Sequence, residues 1–100
     1  MYRKGQGVAR DYAKAADWYT KAAKQGVALA QNNLGWMYHE GRGVARDDVR
    51  AYMWLNAASA NGNKAAFKNL DLLEDVMTSQ QIEKAQSLTR RCIAKHYKGC

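Results

Sequence analysis

Gly41-Arg42-Gly43-Val44-Ala45-Arg46-Asp47 restates, with one change, the stretch Gly5-Gln6-Gly7-Val8-Ala9-Arg10-Asp11 found 36 positions earlier. The same shift carries Met1-Tyr2 onto Met37-Tyr38, and Ala15, Trp18, Ala22 and Gly26 onto Ala51, Trp54, Ala58 and Gly62. Ala30, Asn33 and Leu34 then meet Ala66, Asn69 and Leu70, giving fifteen identities in thirty-four aligned positions. Composition alone does not produce that agreement, so the chain is built from a repeated unit of supersecondary size.

Each unit reads as two helices, because apolar residues return at steps of three and four. Ala30, Leu34, Met37 and Tyr38 make one stripe; Ala15, Trp18, Tyr19 and Ala22 make the other, repeated as Ala51, Trp54, Leu55 and Ala58. Gly41 and Gly43 supply positive φ to end one helix and turn the chain, and Asp11 or Asp47 is placed to cap the next. Proline is absent, which favours uninterrupted helices. The spacing predicts helices over 10–25, 28–40, 46–61 and 64–76, an all-α fold. Trp18 and Trp54 act as large knobs, with Gly35, Ala22 and Ala58 as the gaps that admit them. One helix pair cannot cover such a stripe, so neighbouring units must stack into a solenoid.

Leu34-Gly35-Trp36-Met37-Tyr38, Gly41-x-Gly43-Val44, Asp47, Ala51, Trp54, Ala57-Ala58 and Asn61-Gly62 together resemble the Sel-one-like repeat, a branch of the tetratricopeptide-like solenoids. The earlier copy, from Gly5 through Asp11, Lys14-Ala15, Trp18-Tyr19 and Lys21-Ala22-Ala23 to Gly26, matches still more closely. The resemblance implies an α/α superhelix over residues 1–76 with a C-terminal capping helix and tail over 77–100. Two departures stand out. The chain opens at the Met-Tyr that ends a leading helix, and no Gly-x-Gly follows Asp75. That opening suggests a trimmed unit whose exposed N-terminal end self-associates into a homo-oligomer or is covered in a longer protein.

Beyond the repeat, Thr78 and Gln81 have the spacing of a capping box, and a long helix is expected after it. Ile82, Ala85, Leu88, Cys92 and Ile93 form its apolar stripe. Cys92 and Cys100 are eight apart, which on one straight helix is about 12 Å and too far to bridge. A turn at Gly99, or a helix end near His96-Tyr97, is needed to join them; otherwise they are two free thiols. Bacterial family members rich in cysteine staple successive helices with the same gap, so the resemblance favours a Cys92–Cys100 disulfide. A bridge implies a periplasmic or secreted location and free thiols a cytoplasmic one. Met1–Gly5 leads into no apolar signal core, and no apolar run approaches a membrane span.

The net charge of +7 is concentrated near the C-terminus, where Lys84, Arg90, Arg91, Lys95 and Lys98 face Glu83 alone. No basic run exceeds two residues and no aromatics interleave with it, so specific nucleic-acid binding is not indicated. Catalysis leaves no trace either. His39-Glu40 lacks the second His of a zinc-protease motif, Gly5-Gln6-Gly7 and Gly41-Arg42-Gly43 connect helices and do not open a phosphate loop, and Asp71 with Asp75 reads as a solvated face. No cofactor or metal site is expected. Stacked pairs curve, with the first helix of each lining the concave side, and on that wheel Asn32, Trp36 and His39 oppose the buried stripe. Lys68, Leu72 and Asp75 follow in the next unit. Trp36 is there either a partner contact or a brace against a neighbouring helix. The expected activity is a non-catalytic scaffold that holds a protein or peptide partner on this face. The alternatives are a bacterial envelope enzyme or peptidoglycan-associated module, and a binder of acidic ligands through the basic final helix.

Overall fold

The computed structural model describes residues 8–100, with side-chain surroundings from residue 11 onward. Met1-Tyr2 and Gly5–Gly7 lie outside the described residues. Five helices follow in order: α1 (Val8–Ala23), α2 (Ala28–Glu40), α3 (Asp48–Ala60), α4 (Lys64–Glu74) and α5 (Ser79–Ala94), with no strand among the described residues. The fold is an all-α repeat solenoid. Asp11 falls inside the first turn of α1 and is not its cap, because the helix begins three residues before it.

Local signals place the helix ends. Gly41, at φ 71°, takes the left-handed conformation that closes α2, and its N–H donates to Met37 O; glycine has no Cβ to oppose that turn. Asp47 then caps α3 by accepting from the Arg50 N–H at 3.1 Å, and Asn63 caps α4 by accepting from Ala66 N–H at 3.0 Å. At α5 both halves of the capping box form. The Gln81 N–H donates to Thr78 Oγ1, and the Thr78 N–H donates to Gln81 Oε1.

Helix α3 is the axle of the domain, packed by α2, α4 and α5. Its run Ala51-Tyr52-Met53-Trp54-Leu55 is buried throughout, as expected for a helix that is apolar on nearly every side. On one flank Tyr52, Leu55 and Ala58 meet Leu70, Leu73, Met77 and Ala85; on the other Met53, Trp54 and Ala57 meet Ala23, Ala30, Leu34 and Cys92. Gly35 allows α2 and α3 to approach so closely that a Cβ there would stand 2.7 Å from Leu55 Cγ and 3.0 Å from the Ala51 carbonyl.

The paired knobs have different fates. Trp54 is 1% exposed, whereas Trp18 is 74% exposed. The expectation that both indoles are buried is corrected for Trp18. Trp54 shares its cluster with Tyr19, Ala22 and Ala23 of the preceding unit and with Leu88, Cys92 and Tyr97 of the final segment. Ile93 is also corrected: it is exposed, while Thr89 takes the buried place on α5 and bonds to the Ala85 carbonyl and to Asn56.

Candidate partner-binding face

Helices α2 and α4 are the first helices of successive units, and one amide pair ties them together. Asn69 Nδ2 donates to Asn32 Oδ1 at 2.9 Å. Asn32 is only 8% exposed. Its amide serves the joint between α2 and α4, since a buried amide keeps the hydrogen bond that offsets its lost hydration.

Trp36 and His39 do lie together. Their ring centroids are 5.4 Å apart with planes inclined at 58°, and both side chains are half-buried. His39 Nδ1 is 2.9 Å from Asp48 Oδ1, and Arg46 donates to the other carboxylate oxygen of Asp48 at 3.2 Å. The start of α3 thus fixes the imidazole that supports the indole. Lys68 and Leu72 are exposed on α4, and Asp75 is exposed at its C-cap. Two further residues were missed by the sequence reading: Leu29 and Val76 are exposed large apolar side chains. Leu29 precedes Trp36 by seven residues and so shares its side of α2, while Val76 lies in the turn just beyond α4. The signal was present as apolar residues lying off the buried stripe.

The rest of the chemistry is structural. Tyr52 has its hydroxyl pKa pushed up to about 12, first by burial and then by donating to Glu74. That bond, 2.6 Å long, joins buried Tyr52 of α3 to exposed Glu74 at the end of α4. Gln31, fully buried, donates to the Ala23 carbonyl and accepts from Asn61, which also donates to the Tyr97 hydroxyl. Among the described residues no three His, Cys, Asp or Glu side chains gather where they could hold a metal ion.

The C-terminal tail folds back on the core. The Tyr97 N–H donates to the Cys92 carbonyl at 2.7 Å and the His96 N–H to that of Ile93 at 3.0 Å, the pair of bonds of a Schellman turn. His96 and Tyr97 both have positive φ. Tyr97 stacks on Trp54 with centroids 6.4 Å apart, and Cys92 and Cys100 are joined in a disulfide with Cα atoms 5.7 Å apart.

The sequence model described as Sel1 repeat matches residues 1–27 and 28–63. Among solved structures, the chain is similar to a protective antigen of uropathogenic Escherichia coli strains displaying an SLR fold, at 38% identity and a TM-score of 0.81. The match covers 93% of this chain and 20% of that one, so the chain spans about a fifth of the antigen's length. No curated protein matches. With a repeated glycine, tryptophan and alanine spacing, five helices stacked as units, and a family match over more than half its length, the chain belongs to the Sel1 repeat family.

Proposed function

We propose that this chain is a non-catalytic scaffold whose α2–α4 face holds a segment of a protein partner, with residues 1–76 as the repeat body and 77–100 as its closing cap. Sel1 repeats are in general protein–protein interaction scaffolds. The observation that carries the reading is the pairing, on two helices joined by the Asn32–Asn69 bond, of half-buried Trp36 and exposed Leu29 on α2 with exposed Leu72 on α4, His39 and Lys68 lying on the same two helices. Large apolar side chains grouped on a surface and rimmed by charge mark an interaction site, and a half-buried Trp is the common anchor. Because Asp48 and the Asn32–Asn69 bond already hold the surface, little freedom is lost on binding. The Cys92–Cys100 bridge supports an oxidising compartment, periplasmic or extracellular.

The test is a partner captured by crosslinking from a photoreactive residue at position 72 and then titrated against purified variants. Trp36→Ala with Leu72→Ala should weaken it at least about tenfold, the effect of losing a central anchor. Undiminished affinity in a folded double variant rejects this face.

A further inference from the structure

A second recess lies away from the α2–α4 face. It is a cleft of about 390 Å³ between the first half of α3 and the length of α5, closed at one end by Lys98, Gly99 and Cys100. Val49, Met53, Leu88 and the disulfide supply apolar lining, and Arg50, Lys84, Arg91, Lys95 and Lys98 supply five cationic side chains against a single acidic one, Asp47. That carboxylate is already engaged with Arg50, whose Nε stands 3.5 Å from it, while Arg50 Nη1 donates to the Cys100 carbonyl. Among the described residues the other four cations form no ion pair.

From this arrangement we infer that the α3–α5 cleft binds an extended acidic peptide segment, with carboxylates on the cations and an apolar side chain against Met53 and Leu88. Spacing selects the ligand. Lys84, Arg91 and Lys95 follow one side of α5 over about 16 Å. A phosphate or sulfate ion touches such a row at one point, whereas about five residues of extended chain cover it, with alternate side chains about 7 Å apart facing the same way. Uncompensated like charges along a walled cleft raise the local concentration of an anionic partner and its rate of encounter. The apolar lining gives such a peptide a contact that a simple anion lacks.

Fluorescence anisotropy of a labelled Asp-Leu-Asp-Leu-Asp peptide on the oxidised full chain tests the site. Saturable binding is expected, weakening several-fold between about 50 and about 200 mM salt, and the Asn-Leu-Asn-Leu-Asn peptide should not bind. Arg91→Glu with Lys95→Glu should reduce affinity at least about tenfold, with Lys84→Glu and Lys98→Glu as a second pair should the first lose its helical signal. Trp36→Ala with Leu72→Ala should leave this affinity within about twofold, because those residues serve the other face. Absence of binding, equal binding of the Asn peptide, full affinity in a folded charge-reversed variant, or complete displacement by inorganic phosphate at millimolar concentration would each overturn the assignment.

Discussion

Trp18 and Trp54 occupy equivalent positions in the repeat, yet one side chain is solvated and the other is among the most buried in the domain. The indole N–H of Trp54 has no protein acceptor, so its contribution is packing, chiefly against Ala23, Ala30, Leu34 and Tyr97. Trp54→Ala should cost about 3–5 kcal/mol, whereas Trp18→Ala should change stability by no more than about 0.5 kcal/mol. Urea unfolding of the two variants checks the contrast, and similar losses in both would mean that the burial assigned to each ring is wrong. The sequence spacing identified both rings as knobs. It did not reveal which one has a wall on both sides, because burial depends on residues remote in the chain.

At the scale of elements, the join between α3 and α4 contains the Tyr52 hydroxyl donating to Glu74. Its pKa of about 12 lies above the ordinary 10.0, with burial the leading cause. The stabilisation from keeping this phenol neutral is fully present below pH 10 and is lost as the pH rises from 10 through about 12. Tyr52→Phe should therefore flatten the alkaline fall in thermal midpoint over that interval, and an unchanged fall would assign it to other groups. Element boundaries were legible where a side chain or glycine acts on its own backbone, as at Gly41, Asp47 and the Thr78–Gln81 box. They were less legible for α1, where Asp11 offered a plausible cap inside a helix already begun.

For the whole molecule, the disulfide is a constraint on the unfolded chain as much as a contact in the folded one. Closing a loop with a sequence separation of 8 should contribute about 2–3 kcal/mol. Reduction should lower the thermal midpoint by about 10–20 °C in a domain of this size, and an unaltered midpoint would show that the tail stays docked through Tyr97 without the bridge. The repeat period, the helical class, the glycine turns and the small-residue gap at Gly35 were all determined by the sequence itself, because each is a matter of local conformation or residue size at fixed spacing. Tertiary structure alone decided that Asn32 is spent on Asn69, that Leu29 and Val76 stay exposed, and that cations scattered along α5 meet Arg50 across a cleft. Those outcomes depend on which helices come side by side, and a one-dimensional pattern specifies which residues share a face without specifying what will cover it.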